Sequence, residues 1–225
     1  MMAVEFVPIE TERLLLRRFV PSDVEPFLAY RSDAGLARYQ GWSVITPEEA
    51  RRFVDAQLNS NPGQPGTGAQ IAVELKATAQ MIGDVYLNSP ADRPHEAEIG
   101  YTLAPGHHAH GYATEAVTGL LGFVFGALDR HRVTALTYAD NTRSVALLER
   151  LGMRREAHFV KNQWFEGKWV DEYIYAMLQS EWPSLQQNRD REGAAVPGHA
   201  CVIRHACPPM STYGCFANDR MLSEP

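Results

Sequence analysis

Between Glu98 and Leu151 the hydropathy pattern changes period three times, and this constrains the fold more than any other feature of the chain. Glu98 to Leu103 alternates as a strand does, and Ala113 to Leu128 repeats at helical spacing. Arg132 to Tyr138 is again β-branched and aromatic, and Asn141 to Leu151 returns to the helical period, with Val145, Leu147, Leu148 and Leu151 apolar. Such an order requires a sheet with helices laid on it. The first strand and first helix are joined by a loop running from Ala104 through Pro105, Gly106, His107, His108, Ala109 and His110 to Gly111. A glycine just before a helix leaves consecutive main-chain N–H groups open to an anion the size of a pyrophosphate, aided by the helix dipole. An ordinary glycine-containing turn fits the same residues. The loop has neither the G-x-G-x-x-G spacing of a dinucleotide fold nor the Gly-Lys-Ser/Thr of a P-loop.

Earlier segments extend the same picture. Glu12 to Phe19 reads as a strand, and Ser22 with Glu25 matches a capping box opening a short helix to about Arg31. Thr46-Pro47-Glu48-Glu49 is a second helix start, followed by an apolar stripe of Ala50, Phe53, Val54 and Leu58. Ile71 to Leu75, Met81 to Leu87 and Glu98 to Leu103, with short connections, predict an antiparallel meander. Gly152 stands where a left-handed helix cap is wanted, and Gly167 lies in the loop of a hairpin formed by Phe159 to Trp164 and Trp169 to Met177. The expectation is an α/β fold with a mixed, mainly antiparallel twisted sheet and flanking helices. Residues 1–185 form its single domain, and 186–225 a loosely structured extension.

Charge narrows the function classes. The 225 residues carry 27 acidic against 21 Lys and Arg side chains, a net charge of -6, which argues against a broad nucleic-acid footprint. No apolar run approaches the roughly 18 residues that span a bilayer, and the first residues lack a basic-then-apolar signal, so no membrane partner and a cytoplasmic location are expected. Cysteine occurs only at Cys201, Cys207 and Cys215, which leaves no thiol nucleophile in the predicted domain. His199, Cys201, His205 and Cys207 could in principle hold zinc, but their spacing matches no common zinc module and no metal is expected.

A second constellation adds chemistry. Asn141-Thr142-Arg143-Ser144 is followed by Leu151-Gly152-Met153, and both come after Glu98-Ile99-Gly100-Tyr101 and the glycine loop. With the closing run Gly167-Lys168-Trp169-Val170-Asp171-Glu172-Tyr173, the chain from Thr11 to Trp182 resembles the GNAT superfamily of acyl-CoA-dependent N-acetyltransferases, within it the RimJ/RimL branch. The resemblance implies splayed central strands forming an acyl-CoA cleft, and acetyl-CoA as cosubstrate. It further implies direct attack by a primary amine in a ternary complex, without an acetyl-enzyme. The acceptor is a protein N-terminal α-amine or a small-molecule amine such as an aminoglycoside, and a homodimer is compatible with the branch.

By the same resemblance, main-chain N–H groups of His108, Ala109, His110, Gly111, Tyr112, Ala113 and Thr114 grip the CoA pyrophosphate. His108 stands where the family has Gln or Arg, and Ala109 where many members have a second glycine. Protonated His108 or His110 would add attraction. Tyr101 and Leu103 line the cofactor strand, a bulge within Gly100 to Leu103 supplies an N–H to the thioester oxygen, and Asn141 meets the pantetheine arm or simply caps its helix. Arg143 and Arg150 are within reach of CoA phosphates. Glu98 is the candidate general base, with His95 and Tyr138 as weaker alternatives. The seventh residue after Asn141, a tyrosine in many relatives, is Leu148, so Ser144 is the candidate group for stabilising the thiolate. Tyr39, Gln40, Trp42 and Tyr138 are candidates for the acceptor wall. A GNAT-fold module that holds CoA without turnover is the alternative.

Overall fold

The structure is a computed structural model and describes residues 4–39, 45–165 and 167–182. Its elements run β1 (Ile9–Glu10), β2 (Leu14–Arg17), α1 (Val24–Arg31), α2 (Ala34–Ala37), α3 (Pro47–Gln57), β3 (Thr67–Leu75), β4 (Gln80–Ser89) and β5 (Glu96–Leu103). There follow α4 (Tyr112–Gly122), β6 (Arg132–Tyr138), α5 (Thr142–Arg150), β7 (Arg154–Phe165) and β8 (Lys168–Leu178). Among the described residues eight strands form one sheet in the order β1-β2-β3-β4-β5-β6-β8-β7, and of these only β5 and β6 pair in parallel. Gln40 and Trp42 fall outside the described residues, as does the tail with its cysteines.

Each face of the sheet has its own core. One joins Leu14, Ile71, Val85 and Ile99 to the apolar sides of α4 and α5 through Val117, Leu120 and Leu148. The other joins Phe19, Ala72 and Met81 to α1 and α3 through Phe27, Tyr30 and Val54, with Phe53 stacked on Phe27 at 4.6 Å. Adjacent strand residues point to opposite faces, so a neighbour pair such as Ile71 and Ala72 enters both cores.

Several local expectations hold and others shift. Thr46 and Glu49 form the reciprocal cap, with Thr46 N–H donating to Glu49 Oε2 at 2.7 Å and Glu49 N–H to Thr46 Oγ1 at 3.3 Å. The first helix is capped differently, because Asp23 rather than Ser22 turns back to the chain, accepting from Val20 N–H at 2.8 Å while buried against Arg17. The helix expected from Ala113 to Leu128 is α-helical only to Gly122 and closes through a wider π turn over Phe123–Ala127. Gly152 and Gly167 take the expected left-handed conformation, at φ +82 and +77.

The expected bulge in β5 is absent. Its register with β4 runs unbroken from Gly83↔Leu103 to Asn88↔Glu98, and the irregularity falls where Val73↔Gly83 gives way to Glu74↔Met81, leaving Ile82 of β4 as the extra residue. The strand next to the cleft keeps its pairing with β4, and its pairing with β6 is what ends.

Candidate active site

The β5–β6 ladder comprises Glu96↔Arg132, Ala97↔Val133 and Glu98↔Thr134 and then stops, while β6 continues to Tyr138 paired with β8. Beyond Glu98 the two strands part and leave a gap through the sheet. Ala104 N–H donates to the Ile82 carbonyl at 2.8 Å. Counting back by antiparallel alternation, Thr102 and Gly100 bond to β4, and the main-chain groups of Tyr101 and Leu103 face the gap. An N–H can therefore face a thioester oxygen here without any bulge.

At one end of the gap stands the start of α4. Gly111 is its N-cap at φ +81, a conformation costly for other residues, and an added Cβ would lie 3.4 Å from Arg13 Nη2. The first-turn N–H groups of Tyr112, Ala113 and Thr114 lack helical acceptors by geometry, whereas His108 N–H already donates to Pro105 O at 3.2 Å. The anion cradle is thus narrower than the sequence suggests and centres on the helix start. Ala109 adopts φ +63, the conformation that explains a glycine preference at this place.

The histidine rings contact the loop's own backbone and its neighbours. His108 Nε2 donates to the Leu103 carbonyl at 2.8 Å, and its Nδ1 accepts from Arg143 Nη1 at 3.3 Å, partners that assign the tautomer. His108 thereby braces the loop against β5 and α5. His110 Nδ1 turns back on the His108 carbonyl at 2.7 Å, and its ring stacks on Tyr112 at 5.6 Å. Positive charge near the cradle comes from arginines. Arg13 lies over the Tyr112 ring at 4.6 Å, donates to the His110 carbonyl at 3.0 Å, and pairs with Glu115 at 2.7 Å. Burial pushes the Glu115 carboxyl up, but hydrogen bonds from Thr11 and Arg13 outweigh it and hold it below the usual range. Arg13 and Glu115 have no local sequence signal linking them, and sequence reasoning missed both. Arg150 lies exposed at the last turn of α5.

On the α5 side, Asn141 caps the helix, its Oδ1 accepting from Ser144 N–H at 3.2 Å, which leaves the amide donors for another partner. Ser144 Oγ lies 2.7 Å from the Tyr101 hydroxyl. Burial, partly offset by that hydrogen bond, pushes the Tyr101 phenol up to about 12. Leu148 is fully buried in the core, which fits its being unable to present a polar group to the cleft.

Glu98 lies on the opposite face of the sheet, alternating with the buried Ala97 and Ile99. It borders a cavity of about 300 Å³ with Pro90, Thr134, Leu136 and Ile174. Arg93 there pairs with Glu96 at 3.0 Å and Arg132 with Glu156, while Glu98 has no ion pair among the described residues. Leu136 is 48% exposed on that floor. Farther along β6, Tyr138 is buried against Phe165, with ring centroids 5.8 Å apart. Its phenol is raised by burial and then by Glu172 and Asp140. Arg38, its guanidinium 5.2 Å from the Tyr39 ring, reaches Asp140 at 3.6 Å, and Lys168 meets the same carboxylate at 3.8 Å. Tyr39 therefore stands where α2, the end of β6 and the β7–β8 hairpin meet. His95 contributes its carbonyl, which accepts from His131 and Arg132 N–H at 2.9 and 3.2 Å and holds the start of β6. Among the described residues no three His, Cys, Asp or Glu side chains come together as a metal site, and no helix is long and apolar enough to cross a membrane.

Known proteins share this arrangement. Residues 13–154 match the acetyltransferase (GNAT) domain. The chain is 33% identical over 174 residues to the uncharacterized N-acetyltransferase YnaD of Bacillus subtilis (strain 168), covering 77% of this chain and 98% of that protein. A GNAT-family acetyltransferase from Bacillus anthracis superposes with a TM-score of 0.70 at 32% identity, over 77% of this chain and 99% of that one. More distantly, the spermidine N(1)-acetyltransferase of Vibrio cholerae serotype O1 is 28% identical over 106 residues, 47% of this chain and 61% of that protein. A parted pair of strands, a helix start at one end of the gap and matches of this extent lead to one conclusion: the chain belongs to the GNAT family of N-acetyltransferases.

Proposed function

We propose that the protein transfers the acetyl group of acetyl-CoA to a primary amine by direct attack, donor and acceptor meeting through the gap between β5 and β6. The observation that carries this reading is the end of strand pairing at Glu98↔Thr134 beside the open first turn of α4. The pyrophosphate fits the N–H groups from Ala109 to Thr114, with His108 bracing the loop and Arg143 beside it. The pantetheine amides fit the unpaired edge of β5 at Tyr101 and Leu103 and the free donors of Asn141. An N–H at Tyr101 or Leu103 suits the carbonyl oxygen, where negative charge gathers during attack. Glu98 takes the amine proton, directly or through water, and Ser144 supports the departing thiolate from the other face.

Glu98 is the uncompensated charge of its cavity, so the acceptor is a cationic amine in solution, loses its proton there, and rests its adjoining carbons on Leu136. Tyr39 and Tyr138 wall the far end. Relatives named for spermidine and for the alanine of ribosomal protein uS5 span both acceptor classes, a small polyamine and a protein α-amine. The test is thiol release from acetyl-CoA with Ser- or Ala-initiated peptides, spermidine and aminoglycosides as acceptors. Turnover with one class and micromolar CoA binding by calorimetry are expected. CoA binding with no release for any acceptor would turn the reading to a silent CoA-holding module; no CoA binding would end it.

A further inference from the structure

Leu148 leaves this chain without the helix tyrosine of many relatives, yet a phenol reaches the same helix from the sheet. Tyr101 on β5 places its hydroxyl 2.7 Å from Ser144 Oγ and 3.3 Å from the Ser144 carbonyl oxygen. Both elements are firmly held. Ser144 lies one turn into a helix capped by Asn141, and Tyr101 sits between the paired residues Gly100 and Thr102 in an unbroken register with β4. Two hydroxyls and a carbonyl oxygen meet at this point, and the hydroxyl pair can be oriented in two ways. In one, Ser144 Oγ–H donates to the Tyr101 oxygen and the phenol proton points to the Ser144 carbonyl. In the other, the phenol proton turns to Ser144 Oγ, and the Ser144 proton is released toward a third partner.

We propose that Tyr101 and Ser144 form a two-hydroxyl switch: the pair rotates its protons from the first arrangement to the second as the C–S bond breaks, aiming the Ser144 O–H at the departing sulfur. The inference rests on the reading that Ser144 faces the thioester sulfur. No heavy atom moves and no proton changes owner. The electron pair of the broken C–S bond stays on sulfur, the amine proton leaves through Glu98 or its water, and sulfur receives a hydrogen bond reinforced from behind by the phenol. Donation of the proton itself is disfavoured, because a thiol near 8.5 is more than a thousandfold stronger an acid than a phenol pushed up to about 12. Tyr101 thereby acts as a positioning residue through Ser144, and chained hydroxyls polarise one another in a site of low dielectric.

The probe is CoA, the thiol product, bound to the full chain and titrated through its thiolate absorbance. Ser144→Ala is expected to make the bound thiol about tenfold less acidic than in the unaltered protein, and Tyr101→Phe about threefold less. Tyr101→Phe placed on Ser144→Ala should add nothing, and affinity for CoA at neutral pH should stay within twofold throughout. Turnover with the acceptor found active should follow the same order, with kcat falling and the KM for acetyl-CoA little changed. Thiol acidity untouched by Tyr101→Phe, or lowered equally with and without Ser144, overturns the switch alone. Thiol acidity untouched by Ser144→Ala overturns the placing of Ser144 at the sulfur and the switch with it; absent CoA binding removes the functional reading itself.

Discussion

The two sides of the gap are built by different means. On the α4–α5 side the proposed recognition of the donor is main-chain: first-turn N–H groups, the unpaired edge of β5 and a helix cap, braced by Arg13, Glu115 and His108. On the α1–α3 side the proposed recognition of the acceptor is side-chain: Glu98 and Leu136 line one cavity and Tyr138 lies farther along β6, near the Arg38–Asp140 pair. Main-chain recognition depends on backbone shape, so it is less sensitive to which side chain stands at His108. Side-chain recognition changes with every substitution, which is how one fold accommodates many amines.

The buried charges follow the same division. Glu115 is held below its usual range by Thr11 and Arg13, donors from the turn between β1 and β2, so its contribution to stability is present above pH about 4.5 and fades as pH falls through its lowered folded value. Asp84, on the other face, is fully buried with Arg31 at 3.0 Å, and there burial outweighs the arginine and raises the carboxyl. Its pH contribution has the opposite sign, greatest below the unfolded value near 3.8 and lost as pH rises through the raised one.

Three substitutions probe this contrast. The largest effect is expected on the acceptor side: Glu98→Gln should lower kcat about 100-fold while leaving CoA affinity unchanged. Steady-state kinetics beside calorimetry checks this, and weakened CoA binding with intact turnover would move Glu98 to the donor side. Next, Leu148→Tyr should destabilise the fold by about 1–3 kcal/mol in denaturant unfolding without raising turnover, because the side chain it enlarges is fully enclosed. Unchanged stability together with faster turnover would show that α5 has room for a polar group at the cleft. The smallest change is in the loop. Ala109→Gly relieves a left-handed alanine at φ +63 and should stabilise by ~0.5–1 kcal/mol, read as a higher Tm with CoA affinity preserved. A lower Tm would mean that the alanine methyl is worth more than the strain.

Much of this was legible in advance because the signals are local. The Thr46 cap, the left-handed Gly152 and Gly167, and the cap at Asn141 depend on residues within a turn of one another. The misreadings arose where two local partners compete or where a distant one decides. Ser22 and Asp23 both suit a cap, and Arg17, pairing with Asp23 from the preceding strand, settles the matter. The bulge expected at Gly100 lies instead on β4, since bulge position belongs to a pair of strands and cannot be read from one. The ring contacts of His108 lay beyond the sequence, because a loop histidine shows no sign of the carbonyl and guanidinium that fold against it.

By itself the sequence determined the order of the longer elements, though not the short β1 and α2, together with the helix start at Gly111 and the residue types near it, because hydropathy period and capping act over a few residues. Tertiary structure decided where β6 leaves β5, which carboxylate lacks a cation, and that Tyr101 meets Ser144 across 43 residues of chain. Those outcomes depend on packing between segments far apart in the chain, where the free energy of a contact is shared by partners that no local pattern identifies.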